Sequence, residues 1–581
     1  METHRLLPLL LCGFLLGGCV SGSGGADMVF LGGRIFTADL AGSQPEAVAI
    51  ADGQIVFVGA AAEARALIRK GTEIVDLAGK MLLPGLQDSH THPPLGVALE
   101  PLCRLDDARS NDEVLEAVQE CAGSREDDWV LGFGWRSSIY LPEIAPSLAD
   151  LDRIVPDRPA VLIAKDMHTF WLNSPAMRSV GITRDTPTPA GGEILRDPQS
   201  QEPLGILRDT ATEMVIKVMP RPGMLAALKG LRDTIRRMNS YGYTSLMDAR
   251  LDDPSVATGY RILELLGLLD ARVSMAVLFD PRRDLSQLDE IEALRSDFST
   301  DRLDAEVVKI FVDGGTSVRS AASSAYADGS PSSPVYIPAQ DLNRSVVEID
   351  RRGFSIQLHT LGDRATTLAL DAIEAARRAN PGEARRHAIT HLVYPRPADL
   401  ERFAELDVIA NISPYWAFPN EWTASFFPSI GNERKAWMYP FRSLADLGVR
   451  LSAGSDYPFT PMNPFLAIEV GMTRKSPENG SSESLVPGEA LTLKMLLVAY
   501  TRGAAYQNHR EAETGSIEVG KAADLVVLDR DLFETLPEDI SETRVQMTIL
   551  EGEVVYRSGS QGQLQANRST AQRMTASVVP R

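Results

Sequence analysis

Residues 84–92 read Pro-Gly-Leu-Gln-Asp-Ser-His-Thr-His. The apolar run Met81-Leu82-Leu83 just before them predicts the carboxyl end of a β-strand, where alternate side chains share a face. His90 and His92 then project to one side, and two neutral imidazoles a few ångströms apart can bind one divalent ion. A hydrogen-bonded surface pair would be spelled the same way, so the motif alone decides nothing. Asp88 shares that face and is placed to orient an imidazole from behind. The chain has only eight histidines, and His359 and His391 also end strand-like runs. Lys309 sits in the apolar run Val307-Val308-Lys309-Ile310-Phe311, and Asp456 ends Ala453-Gly454-Ser455-Asp456. Singly, a strand lysine can snorkel and a strand-end histidine can be a hydrogen-bonded core residue. Together, the order His-x-His, Lys, His, His, Asp is hard to obtain by chance and points to a metal site.

These residues need elements to hold them. Strand candidates are Leu83–Asp88, Thr244–Ala249, Arg272–Phe279, Glu306–Asp313, Ser355–His359, His387–His391, Val408–Ser413 and Arg450–Asp456. Helical patterns at Met224–Asn239, Ala339–Arg352, Arg364–Ala379 and Pro397–Leu406 separate several of them. Eight βα units predict an α/β fold, a closed (β/α)8 TIM-like barrel over residues 84–510, with the polar residues at the carboxyl ends of its strands. The interval from His92 to Thr244 is too long for one connection and predicts an inserted α/β lobe, about residues 100–230, with strands near Trp129–Phe133 and Ala160–Ala164. Short β-rich runs with Asp-Gly and Glu-Gly turns occur at both ends of the chain. They predict one small β-sandwich built from residues 27–83 and 511–557, since two separate modules would each bury little surface. The polar stretch 558–581 reads as a disordered tail.

The net charge of −20 argues against nucleic acid or an anionic membrane as the main partner. At the amino end, Arg5 and the apolar run Leu6–Leu16 suit a signal peptide rather than a membrane span. Leu16-Gly17-Gly18-Cys19 resembles a lipoprotein lipobox, so residues 1–18 would be removed and Cys19 lipidated. Residues 19–26 then form a flexible tether. The expected location is the cell envelope, on the periplasmic or extracellular face of a bacterial membrane, attached through the N-terminal lipid only. Cys103 and Cys121 remain in the mature body, either as a disulfide or as two unpaired buried thiols.

The motif set Pro84–His92, Val308–Gly314, Leu358–Ala365, Thr390-His391, Gly454–Asp456 and Gly515–Asp524 resembles the amidohydrolase superfamily. The branch is the amidohydrolase 3 group, similar to N-substituted formamide deformylases and, more distantly, D-aminoacylases. The resemblance runs from about residue 27 to about 557. It implies that His90, His92 and Asp456 bind one divalent metal, with His359 and His391 holding a second. In two-metal relatives a lysine at the position of Lys309 is carboxylated by CO2 and bridges the ions; an ammonium has only donors and cannot ligate. The alternative is a single metal with Lys309 as a cationic neighbour. Zinc suits this donor set, as do iron, manganese and cobalt.

The resemblance also implies a hydrolase for carbon–nitrogen bonds other than peptide bonds. Its substrate would be a linear amide, an N-acyl or N-formyl amine or amino acid, attacked by metal-activated water with Asp456 as the base. The branch carries a histidine like His168 before Asn173-Ser174, which either lines the pocket and polarises the scissile carbonyl or is structural. Trp135, Arg319 and Trp416 are further candidates for contact with substrate. Deamination of a heterocycle on the same scaffold, and a surface-anchored binding protein without catalysis, are the alternatives. Oligomeric state is left open, a homo-oligomer included.

Overall fold

The computed structural model describes residues 25–559, apart from 125–126, 137–145, 166, 190–191, 315–319, 328, 383–384 and 478–481. The leader, Cys19, Arg319 and the tail from 560 onward lie outside the described residues. No described helix is long and apolar enough to cross a membrane.

Eight parallel strands follow one another around a nearly closed barrel: Leu86–Thr91, Tyr243–Leu251, Arg272–Leu278, Leu303–Phe311, Ser355–Thr360, Ala388–His391, Ile409–Ile412 and Leu451–Ala453. Each corresponds to one of the strands expected from the sequence. The intervening helices are amphipathic. In Asp363–Ala379, the buried Ala365, Ala369, Ile373 and Ala376 recur every three or four residues, which lays one stripe against the barrel.

The first strand differs from expectation. Met81–Pro84 is not its beginning but a strand of the sandwich, paired with Leu525–Val527 and with Arg34–Ile35. Two residues break the run. Pro84 has no N–H to continue a ladder. Gly85 passes so close to the second barrel strand that an added Cβ would lie 2.2 Å from Thr244 Oγ1. The barrel strand starts only at Leu86. The last strand is also shorter than expected, because Asp456 turns out of it with φ +56°.

First and last strands meet at their carboxyl ends. Ser89 Oγ donates to the Ala453 carbonyl at 2.7 Å. Beyond it, Asp456 N–H donates to the His90 carbonyl at 2.7 Å, and His92 N–H to the Tyr457 carbonyl at 2.8 Å. Gly454 permits this approach: a Cβ there would lie 2.5 Å from His90 Cβ.

Both ends of the chain supply the sandwich. Four strands from the amino end form one sheet, and Arg34–Ile35, Met81–Pro84, Leu525–Leu528, Val545–Leu550 and Glu553–Arg557 form the other. Phe30, Ile50, Leu82, Ile517, Leu525 and Ile549 pack between them. Buried Arg272, from the third barrel strand, joins sandwich to barrel through ion pairs with Asp524 and Glu551.

The inserted lobe is a six-stranded sheet running from Cys103–Arg104 to Pro203–Asp209. A disulfide between Cys103 and Cys121 ties its edge strand to the helix Asn111–Gly123. Trp135, expected near substrate, instead belongs to the lobe's core. It is 1 % exposed, donates from Nε1 to the Leu162 carbonyl at 3.0 Å, and meets Trp171 edge to face. A strand aromatic reads the same whether its face is core or pocket, and here the two lobe sheet faces are both covered.

Cys103 and Cys121 are 18 residues apart, and a loop of that length stabilises by about 3 kcal/mol in the chain-entropy model. Non-reducing peptide mapping should recover the two peptides joined. The Cys103→Ser, Cys121→Ser protein should unfold in denaturant with a loss of about that size; unchanged unfolding would show that the link carries no stability.

Candidate metal centre

His90 and His92 end the first barrel strand, both on its inner side, and Asp456 faces them from the seam. Asp456 Oδ1 lies 3.5 Å from His90 Nε2 and 3.2 Å from His92 Nε2. Ligand atoms of the three residues all fall within 4.8 Å of one another, and all three side chains are buried. His391 adds a fourth ring, with centroids 4.9 Å from His90, and His359 a fifth, 4.8 Å from His391. The structure therefore brings together every imidazole assigned to the metal from the sequence. Asp456 and His391 both adopt left-handed backbone, φ +56° and +72°. Such conformations in non-glycine residues are held against their preference by surrounding structure and cluster at functional sites.

The electrostatics favour ligation. Burial, and then the charge of Lys309, hold His90 well below the usual histidine range. Burial likewise lowers His92, with Asp456 opposing it, and lowers His391, with His359 and Lys309 adding to the effect. Neutral imidazoles are the form that binds metal. Buried His90 Nδ1 has no hydrogen-bond partner among the described residues. Two neutral imidazoles and a buried carboxylate converging on one point fit a divalent ion of the zinc class.

Lys309 is fully buried, with Nζ 3.4 Å from Gln357 Oε1 and 5.1 Å from the centre of the Phe311 ring. Burial pushes its amine down to about 7, against the pull of Asp456. The polar floor beneath it is continuous. Gln357 Nε2 donates to the Ser89 carbonyl at 3.3 Å, Gln507 Nε2 to the same carbonyl at 3.0 Å, and Asn411 Nδ2 to Ser89 Oγ at 2.8 Å.

Asp88 does not orient an imidazole as expected. Its Oδ1 accepts from the backbone N–H of Ser455 at 2.9 Å and of His90 at 3.2 Å, so it braces the seam instead. Burial pushes its carboxyl up to about 7 despite those bonds. The imidazole partners are residues that had not stood out. Asp313 Oδ1 lies 3.6 Å from His359 Nδ1, and the carboxylate accepts N–H groups of Ala321, Leu361 and Gly362 at 3.0 Å each. Ser413 Oγ lies 3.3 Å from His391 Nδ1. The only sequence signal for Asp313 was its place directly before Gly314 at a strand end, which an ordinary turn also produces.

Aromatic rings wall the centre. Trp416 stacks on His391 with centroids 4.6 Å apart and planes 9° apart; Phe311 lies 4.9 Å from His359, and Phe459 meets His92 edge-on at 5.9 Å. His168, from the lobe, is a third exposed and has Nδ1 3.1 Å from Asp209 Oδ1. Of the two remaining histidines described, His387 pairs with Asp350 at 2.9 Å and His509 with Ser355 at 2.9 Å, away from the centre.

Comparison with known proteins gives a consistent result. The sequence pattern of the amidohydrolase family matches residues 73–556. An N-substituted formamide deformylase of Arthrobacter pascens is 28% identical over 565 residues, covering 92% of this chain and 99% of its own length. The Arabidopsis thaliana protein LONG AFTER FAR-RED 3 is 29% identical over 546 residues, 91% of this chain and 92% of its own. Among solved structures, an uncharacterized metal-dependent hydrolase from Pyrococcus furiosus superposes with a TM-score of 0.68 at 25% identity, over 87% of this chain and 99% of its own.

The buried amine gives a pH signature. Lys309 titrates near 7 when folded and near 10.5 when unfolded, so between those values the unfolded chain holds the extra proton. Its destabilising effect is complete below 7 and fades as pH rises to 10.5. Asp88 acts in the opposite sense, destabilising increasingly from 3.8 up to about 7. Metal-free protein should therefore gain stability in denaturant unfolding on going from neutral to alkaline pH, and Lys309→Met should flatten that rise. A Lys309→Met protein with the same rise would refute the assignment.

Proposed function

The chain belongs to the amidohydrolase family, and on that premise we propose that it is a metal-dependent hydrolase of linear amides, acting on N-acyl or N-formyl amines or amino acids. The observation that carries this reading is the buried His90–His92–Asp456 triad at the barrel seam. His90, His92 and Asp456 hold one ion. His359 and His391 would hold a second ion, with Lys309 able to join them as a ligand only in its carbamate form. The lowered amine suits that modification, because only the neutral form attacks CO2 and only the carbamate offers a ligand oxygen. A divalent ion here, zinc for preference, supplies Lewis acidity and lets water ionise near neutral pH.

The chain's own groups do the rest. Asp456 Oδ1 faces both imidazoles, which leaves Oδ2 to receive the proton of the attacking water. The same oxygen then returns that proton to the departing amine nitrogen. His168, held by Asp209, polarises the carbonyl oxygen as negative charge develops there. Trp416, Phe311 and Phe459 exclude water and accept an apolar substituent of the amide. The deformylase relative, named for action on N-substituted formamides, supports the choice of a linear amide.

The first experiment is metal analysis of the purified protein with intact-mass analysis of Lys309, followed by a panel of N-formyl and N-acyl amines and amino acids. One or two ions per chain and release of amine should be found, with a carbamate on Lys309 if there are two ions. Asp456→Asn should lower kcat by roughly 10²–10⁴ while a metal is retained. Full activity in that variant would remove Asp456 as the base. Ammonia release from purines or pyrimidines without amide cleavage would replace the reading with deamination.

A further inference from the structure

Six of the fourteen large apolar side chains exposed among the described residues fall in two neighbouring segments: Ile216, Val218, Met224, Leu225, Leu265 and Leu266. Met224 and Leu225, at the start of the helix Met224–Ser240, are 71% and 82% exposed. That helix lies beside Pro254–Leu265, and Gly259 of the second approaches Leu228 and Leu231 of the first. A groove of about 830 Å³ runs between them, lined by Met224, Leu225, Leu228, Leu263 and Leu266 with Lys229 and Arg232 among them. Contiguous exposed apolar surface of this kind marks an interaction site more often than chance.

The first of the two segments is basic, which is unusual for this molecule, while the second carries Arg261 paired with Glu264. Between Glu213 and Asp233 the chain carries Lys217, Arg221, Lys229 and Arg232 and no acid, although the whole chain has a net charge of −20. Lys229 pairs with Asp233 at 2.7 Å and Arg221 with Asp253 at 3.9 Å, both exposed and so weakly held. Exposed Lys217 makes no ion pair with any other described residue. An isologous contact with a second copy would set these four cations against four more, whereas an anionic lipid surface complements them.

We propose that this face is a membrane-contact surface, with Met224, Leu225, Leu265 and Leu266 entering the headgroup layer of an anionic phospholipid leaflet and the four basic side chains meeting its phosphates. It adds a second attachment to the lipid expected on Cys19. Cys19 stands seven residues before Ala26, a reach of about 25 Å when extended, so a lipid there would keep the folded body against the bilayer. Each basic residue near an anionic leaflet raises partition roughly fivefold, which is how a local patch overrides an acidic whole.

The test uses the full chain with Cys19→Ser, so that no lipid is attached, sedimented with vesicles of phosphatidylglycerol or of phosphatidylcholine. The leader is common to every variant, so differences between variants report the face alone. Partition should favour phosphatidylglycerol at least tenfold and weaken with salt. Met224→Ser with Leu225→Ser, and separately Lys217→Glu with Lys229→Glu, should each lower it tenfold or more at unchanged melting temperature. Partition equal to the parent, or indifferent to lipid charge, overturns the proposal. So does a dimer in solution that Met224→Ser with Leu225→Ser converts to monomer, since the face would then be a subunit interface.

Discussion

The hydrogen-bonded seam between the first and last barrel strands is the constraint on which the site depends. Residues more than three hundred positions apart in sequence share it: His90 accepts from Asp456, and Tyr457 accepts from His92. The candidate metal ligands are thus the same residues that close the barrel. Gly454 lets the strands approach, Asp88 spans the join by accepting from Ser455 and His90, and the left-handed turn at Asp456 aims its carboxylate back at the imidazoles. Because backbone bonds rather than side-chain contacts set the spacing, the triad has little freedom to drift, which is what a site that must hold an ion in fixed geometry requires.

Burial then determines what these groups can do. Taken out of water, an imidazole stays neutral and an amine loses its proton more readily, and both are states that can serve as ligands or as precursors of one. The same burial makes unpaired polar atoms expensive. The barrel meets much of this with a floor of amides and hydroxyls, where Gln357, Gln507 and Asn411 donate to Ser89 below the site. Gln507 reaches that floor from near the end of the last barrel helix, so the carboxyl-terminal part of the chain supports the centre from beneath while the strand ends furnish it from above.

Much of this was legible in the sequence because barrel strands are nearly continuous apolar runs and the chemistry sits where each run ends. His90, His92, His359, His391, Lys309 and Asp456 could be read in that way. The exceptions have physical reasons. The domain boundary was expected at residues 83 and 84, but the strand expected at Leu83–Asp88 crossed Pro84-Gly85, where the chain changes sheet, because apolar strands look alike whichever core they enter. Asp313 acts by gathering backbone N–H groups from Ala321, Leu361 and Gly362, and a residue whose partners are main chain leaves no pattern of side-chain types. Trp135 was misjudged because size and aromaticity fit a lobe core as well as a pocket wall.

The composite sandwich has a consequence for how the protein is made. Met81–Pro84 emerges early in synthesis, but its neighbour Leu525–Leu528 comes near the end. At ordinary rates of translation the wait is on the order of tens of seconds. Throughout it, Leu82 and Leu83 face solvent along an unpaired strand edge, the kind of surface that seeks other chains. The barrel seam waits almost as long, since Leu451–Ala453 must arrive before the first strand can be closed. This architecture favours a chain that stays unfolded until complete and then folds as a whole.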